Sequence, residues 1–323
     1  MTPSVISTFA GCGGSSLGYR MAGYREVLAV EWDDNAVNTF RLNFDVPVYH
    51  GDIGKLTVKE CLSLASLEKG SLDVLDGSPP CQGFSTAGRR NVEDPRSGLY
   101  RQYIRLLKGL EPKVFVMENV SGMVKGVMKL MFVQILKELK AAGYRVKVRR
   151  LNAKYYGVPQ SRERMIFIGV RKDLGIEPSH PKGQTKPIPV CDAIGDLGNT
   201  MDASIDHIWT DESPEGKNHK NWYKAVRARQ GELIRGQQKR GIWNKPASTL
   251  VTSGPMGPLV GNVGAHPLFT RTYSLLEYKR LASFPDGFKF SGDWGLGFDR
   301  IGNSVPPKMM QAIAEHIKNN ILR

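Results

Sequence analysis

Val5-Ile6-Ser7-Thr8-Phe9-Ala10-Gly11-Cys12-Gly13-Gly14-Ser15-Ser16-Leu17-Gly18 reads as a strand, a glycine-rich turn and the start of a helix. In doubly wound α/β folds that succession forms a nucleotide-type cofactor site. It is a poor dinucleotide fingerprint, because after Gly11-x-Gly13 the third glycine would fall at position 16, which is Ser16. It also lacks the Gly-Lys-Ser/Thr of a phosphate-clasping loop. A second apolar run ends at Glu31-Trp32, where an acid can accept from ribose hydroxyls and an aromatic can stack on adenine. Asp52-Ile53 closes the next unit and suits an adenine amino group. For Trp32 alone, core packing is the default. The ordered series points to a nucleoside cofactor without pyrophosphate.

Outward from that loop, short apolar runs alternate with longer mixed segments. Val5–Phe9, Glu26–Val30, Leu72–Leu75, Val114–Met117, Arg145–Leu151 and Met165–Val170 read as strands, and Asn35–Asn43, Leu99–Gly109 and Leu130–Ala142 as helices. The alternation predicts a mostly parallel sheet covered by helices on both faces. From about Arg171 to Ala265, Gly and Pro become frequent and periodicity fades, as in a separate loop-rich domain. Lys308 to Ile321, entered through Pro306-Pro307, carries amphipathic spacing and is expected to return to the first domain.

Composition narrows the function classes. The 323 residues are 41% hydrophobic and 24% charged, ordinary for a globular protein, and no apolar run approaches the ~20 residues of a membrane span. No signal-like N-terminus precedes the first strand, so a cytoplasmic protein is expected. Cys12, Cys61, Cys81 and Cys191 lie far apart, and the histidines are scattered, so neither a disulfide framework nor a metal site is expected. The net charge is +14. Between Ser213 and Lys245, Lys217, Lys220, Lys224, Arg227, Arg229, Arg235, Lys239, Arg240 and Lys245 face only Glu215 and Glu232, with Trp222, Tyr223 and Trp243 among them. A solvated face mixes signs; a one-sided concentration points to a polyanion.

Gly77-Ser78-Pro79-Pro80-Cys81-Gln82-Gly83-Phe84-Ser85 follows a strand-like run. Two prolines stiffen the arm before Cys81, and flanking glycines permit sharp turns and close approach. A thiol presented at the carboxyl end of a strand suits a nucleophile, although a buried structural role is the commoner fate of a lone cysteine.

Phe9-Ala10-Gly11-x-Gly13-Gly14, Pro79-Pro80-Cys81-Gln82, Glu118-Asn119-Val120, Gln160-Ser161-Arg162-Glu163-Arg164 and Gly302-Asn303-Ser304-Val305, in that order, resemble the DNA cytosine-5 methyltransferases. Arg271-Thr272-Tyr273-Ser274-x-x-Glu277-x-x-Arg280-Leu281, then Phe284-Pro285-Asp286, is similar to the family's penultimate motif. The resemblance runs from residue 5 to about 310. It implies a Rossmann-like S-adenosylmethionine-dependent methyltransferase domain over residues 1–175, completed by the helix in 301–323. A target-recognition domain at 176–270 and a return segment at 271–300 would complete the chain.

The implied reaction is methylation of carbon 5 of a cytosine rotated out of duplex DNA. By resemblance, Cys81 is the thiolate that adds to carbon 6 and activates carbon 5. Glu118 would bond the base at N3 and its exocyclic amine. Arg162 and Arg164, placed on one face by strand alternation, would hold the catalytic loop and contact the base. Cofactor contacts are implied for Phe9, Gly11, Gly13, Gly14, Glu31, Trp32, Asp52, Ile53, Pro79, Leu99, Asn303 and Ser304. DNA contacts are implied for Gln82, Ser85, Arg89, Arg90, Arg96, Gln160, Lys245 and Thr249, with base readout between Asn218 and Gly257. The loop from Phe84 to Arg101 is expected to close on DNA about Gly88 and Gly98. A monomer of restriction–modification or orphan type is expected, with no membrane or metal partner; the sequence does not reveal a cognate endonuclease or the DNA site. Alternatives are an RNA cytosine methyltransferase of the same family, a non-catalytic DNA-binding homologue, and, remotely, a nicotinamide oxidoreductase.

Overall fold

The computed structural model describes residues 2–80, 98–124, 126, 128–183, 186–198, 228–235, 238–252, 265–269 and 272–322. The apolar runs become β1 (Ser4–Thr8), β2 (Arg25–Glu31), β4 (Val74–Gly77), β5 (Val114–Val120) and β6 (Tyr144–Asn152), and a short strand that no run marked, β3 (Val48–His50), follows β2. After the two-residue β7 (Gln160–Ser161) comes β8 (Glu163–Arg171). Seven of these form one sheet in the order β3-β2-β1-β4-β5-β8-β6. Between successive strands up to β6 lie α1 (Gly14–Met21), α2 (Asp34–Arg41), α3 (Val58–Ala65), α4 (Leu99–Leu110) and α5 (Met128–Ala141). Asp33 and Thr57 cap α2 and α3, accepting from Ala36 N at 2.8 Å and Glu60 N at 3.1 Å.

The crossover helices make β1, β2, β3, β4 and β5 parallel to their neighbours. β8 is the exception and runs antiparallel to β5. Residues 153–162, which join β6 to β8, contain no crossover helix, and a parallel return needs one. The strand order reverses between β1 and β4, which opens a crevice beyond the carboxyl ends of those strands.

Two compact units divide the chain. One comprises 1–151, 163–182 and 310–323, and the other 152–162 and 183–309. In the first, buried apolar side chains from the sheet meet α3, α4 and α5 in a continuous core. Tyr103 of α4 is fully buried, and its hydroxyl lies 3.1 Å from both the Leu75 and Val116 carbonyl oxygens. The Phe115 ring is edge-on to Tyr103 and Tyr144, with centroids 6.3 and 5.2 Å away. The C-terminal helix does return to this unit: Tyr24 donates to the Ala314 carbonyl at 2.9 Å and Lys318 to that of Ala22 at 3.2 Å.

The second unit contains the helix α6 (Val190–Ile194) and the hairpin β9 (Leu233–Arg235) with β10 (Gln238–Lys239). β11 (Ala247–Ser248) pairs in parallel with β7. The helices α7 (Leu275–Leu281) and α8 (Trp294–Asn303) follow, and α9 (Pro307–Asn320) begins at its end. Among its described residues the strands are short, and polar ties join the segments. Buried Arg240 donates to the carbonyls of Ala228, His266, Pro267 and Phe269. Ser274 and Glu277 form a reciprocal capping box on α7.

Gly169 sits opposite Phe115 in the β5–β8 pair, and a Cβ there would enter the Phe115 ring. Gly169→Ala is therefore expected to cost about 1–3 kcal/mol through overpacking, read as a lower denaturant midpoint. An unchanged midpoint would contradict the packing described.

Candidate active site

The carboxyl end of the parallel sheet collects polar and aromatic groups at three places. The first is the glycine loop. Phe9, at the tip of β1, has a φ of 55°, and Gly11 and Gly13 have φ of 56° and 95°. A bulky residue rarely adopts left-handed backbone, and such strain clusters at binding sites. At Gly13 a Cβ would also strike the Phe44 ring, so glycine is required there by conformation and by space. Ser16 is fully buried, and its hydroxyl donates to Glu26 at 2.8 Å. The serine that breaks the dinucleotide pattern thus serves a polar interior.

The second place is the end of β2. Glu31 is 8% exposed, and its carboxylate accepts from three backbone N–H groups. These are Gly11 N at 2.8 Å, Trp32 N at 2.8 Å and Asp33 N at 3.0 Å. Trp32 itself is 74% exposed, which removes the core-packing explanation for it. Phe9, Val30, Glu31, Trp32, Gly51, Asp52, Ile53, Pro80 and Leu99 surround a cleft of about 250 Å³. Six of these, Phe9, Glu31, Trp32, Asp52, Ile53 and Leu99, are cofactor residues expected from the sequence. Of the two prolines, Pro80 lines the cleft and the expected Pro79 does not. Gly11, Gly13 and Gly14 shape the loop rather than the lining. Asp52 accepts from Gly54 N at 2.8 Å in a tight turn. Asn303 is exposed at the end of α8, and Ser304 caps that helix, donating to the Arg300 carbonyl at 2.7 Å.

Among the described residues the cleft has an exposed aromatic face, two carboxylates and no cationic side chain in its lining. A pyrophosphate would be repelled there, whereas an adenosine bearing a positively charged sulfonium and amino group fits the donor set.

The third place is the end of β5. Glu118 is 9% exposed, and its Oε1 lies 2.7 Å from Arg164 Nε. The register pairs Glu118 with Ile166 and Val120 with Arg164, so the two side chains meet diagonally across an antiparallel pair. Asn119, on the opposite face of the strand, donates through Nδ2 to the Pro79 carbonyl at 3.1 Å and accepts Val120 N at 2.8 Å. That clamp on the Pro-Pro arm was not anticipated, although Asn119 lies inside the motif that drew attention to Glu118.

Arg162 precedes β8, and strand alternation does not govern it. Its Nη1 and Nη2 each donate at 2.8 Å, to the Leu250 and Gly302 carbonyls. Gln160 is likewise buried: its Oε1 accepts Leu250 N at 3.0 Å and its Nε2 reaches the Leu281 carbonyl at 3.4 Å. Lys245 is exposed, and exposed Thr249 donates to the Ser161 carbonyl at 2.8 Å. Cys81, Gln82, Ser85, Arg89, Arg90 and Arg96 lie outside the described residues, as do Asn218 to Arg227 of the expected readout segment. Among the described residues no His, Cys, Asp and Glu group is arranged to hold a metal, and no helix is long and apolar enough to cross a membrane.

This strand order, with an acidic and aromatic cleft at its switch point, is the architecture of an S-adenosylmethionine-dependent methyltransferase. The chain matches the family model of C-5 cytosine-specific DNA methylases over residues 4–319 and belongs to that family. It is 33% identical to the Type II methyltransferase M.NgoPII of Neisseria gonorrhoeae, over 99% of this chain and 96% of that one. To the Type II methyltransferase M1.HphI of Haemophilus parahaemolyticus it is 34% identical, over 98% and 87%. Among solved structures, a prophage-encoded E. coli protein described as a DNA modification methyltransferase superposes with a TM-score of 0.80 at 25% identity, covering 100% of both chains. The enzyme is a DNA cytosine-5 methyltransferase whose methyl donor is S-adenosylmethionine.

Beneath the glycine loop, Asp76 of β4 is buried, with Tyr19 donating to it at 3.3 Å. Burial first, and then the nearby Glu26 and Glu118, push its carboxyl up to about 8. The unfolded chain loses this proton near pH 3.9 while the folded chain keeps it, so stability falls as pH rises from about 4 to about 8. Asp76→Asn is expected to be less sensitive to pH across that window. Denaturation at several pH values checks this; parallel pH profiles for variant and wild type would contradict it.

Proposed function

We propose that the chain is a sequence-specific modification enzyme acting on cytosine in duplex DNA, as a monomer in the cytoplasm. The observation that carries its mechanism is the end of β5, where Glu118 meets Arg164 and the adjacent Asn119 holds the arm leading to Cys81. Trp32 would stack on the adenine, Glu31 would receive the ribose hydroxyls beside its backbone donors, and Asp52 with Ile53 would receive the adenine edge. Phe9 and Leu99 would face the methionine end, a role that the family resemblance also gives Asn303. When bound, S-adenosylmethionine supplies an electrophilic methyl on a sulfonium.

Cys81 adds as thiolate to carbon 6 of the extruded cytosine, which places electron density on carbon 5. Glu118 bonds the ring at N3 and the exocyclic amine and steadies the charge that develops there. Arg164 orients Glu118. Arg162 and Gln160 act one step back, tying the backbone at Leu250 and Gly302 or Leu281, while Lys245 and Thr249 lie toward the DNA. A carboxyl paired with an arginine at the carboxyl end of a strand supports a role in holding a pyrimidine ring. The basic segment from Ser213 to Lys245 supports duplex DNA as the substrate.

Bisulfite sequencing of a plasmid carried in cells that express the protein tests this. The expected result is protection of one cytosine in one recurrent sequence; full conversion of the plasmid with methyl labelling of RNA instead would overturn it. Trp32→Ala is expected to weaken S-adenosylmethionine binding about 5- to 150-fold, the loss of roughly 1–3 kcal/mol of stacking, as read by calorimetry. An unchanged Kd would remove Trp32 from the cofactor site.

A further inference from the structure

A second concentration of positive charge occurs elsewhere in the sequence, before residue 155. From Lys125 to Lys154 the chain carries Lys125, Lys129, Lys137, Lys140, Arg145, Lys147, Arg149, Arg150 and Lys154 against the single acid Glu138. Its most regular part is β6, the outermost strand on its side of the sheet. Val146 and Val148 pack toward the core, so strand alternation puts Arg145, Lys147 and Arg149 on the other face. Lys147 and Arg149 are exposed. Arg145 and Arg150 have surface partners, Glu177 at 3.3 Å and Glu163 at 3.7 Å. Among the described residues neither Lys147 nor Arg149 has a carboxylate partner. Buried His180, which bonds the Ile166 carbonyl at 2.8 Å, senses this field. Burial first, and then the charges of Arg149, His316 and Lys147, bring it down to about 4.

The direction of the row is informative. Arg150 reaches Glu163, the residue before Arg164, so this end of β6 lies at the catalytic rim. From Arg149 back to Arg145 the row leads away from that rim along the sheet edge for about 13 Å, the rise of roughly four base pairs. Edge strands do carry lysines that discourage strand pairing, but that role does not need three like charges on one face.

We propose that this face of β6 binds the phosphate backbone of the duplex flanking the target, independently of sequence, with Lys147 and Arg149 as the principal contacts. The proposal rests on the duplex-DNA reading above. Each phosphate neutralised contributes about 0.9 to the dependence of log affinity on log salt. The predicted behaviour is therefore a duplex-length effect: flanking DNA adds about two units of slope, and the added slope resides in these two side chains.

The test compares full-length protein with the Lys147→Gln/Arg149→Gln double variant, using a duplex trimmed to the methylated site and a long duplex centred on it. The expected result is a slope shallower by about two on the long duplex, no change on the trimmed one, and unchanged methyl transfer at saturating DNA. Equal slopes on the long duplex would overturn the proposal and leave the charges as guards of the strand edge. An equal loss on both duplexes would overturn it in favour of contacts within the target site, and a loss seen only with RNA would do so in favour of another partner. Unchanged thermal unfolding and S-adenosylmethionine affinity confirm that the variant is folded. Methylation of the trimmed duplex reports separately on the catalytic reading, because it does not require the flanking contact.

Discussion

The active site depends on one strand running against the others. β8 lies antiparallel between β5 and β6, so its entering end stands beside the carboxyl end of β5. Only in that direction does Arg164, near the start of β8, meet Glu118, near the end of β5, at 2.7 Å. Were β8 parallel, the arginine would emerge at the opposite edge of the sheet. The pair is largely withdrawn from water, where an unpaired charge is costly, so each side chain fixes the other.

The same strand end serves a second purpose through its alternation. Glu118 and Asn119 are neighbours whose side chains point to opposite faces. One meets Arg164, and the other fastens the Pro79 carbonyl two residues before Cys81. The cofactor side uses a parallel economy: one carboxylate, Glu31, gathers backbone N–H groups from the glycine loop and from its own strand end. Phe9 in left-handed conformation and the doubled proline stiffen the backbone at the ends of β1 and β4.

The sequence disclosed what local pattern and chemistry determine. The glycine turn, the principal strands of the sheet and the Glu31, Trp32, Asp52 and Ile53 lining follow from apolar runs and from residues at their ends, whereas Phe9 and Leu99 were implied by the family resemblance. β3 was too short to register: Val48–His50 is three residues behind Pro47. α3 is marked chiefly by its Thr57 cap. The direction of β8 is not encoded in periodicity, which is the same for parallel and antiparallel strands. The buried roles of Gln160 and Arg162 were equally hidden, because their partners are main-chain carbonyls and amides far along the chain. The basic face of β6 escaped notice because alternation with valines disguises it as an ordinary strand.

The central claim is that Cys81 bonds transiently to a cytosine whose ring Glu118 holds. Incubating the protein and S-adenosylmethionine with duplex DNA carrying 5-fluorocytosine at the target, followed by peptide mapping of the adduct, tests it most directly. The account predicts a stable protein–DNA product attached through Cys81 and absent from Cys81→Ser. An adduct formed equally well by the serine variant, or attached through another residue, would contradict it.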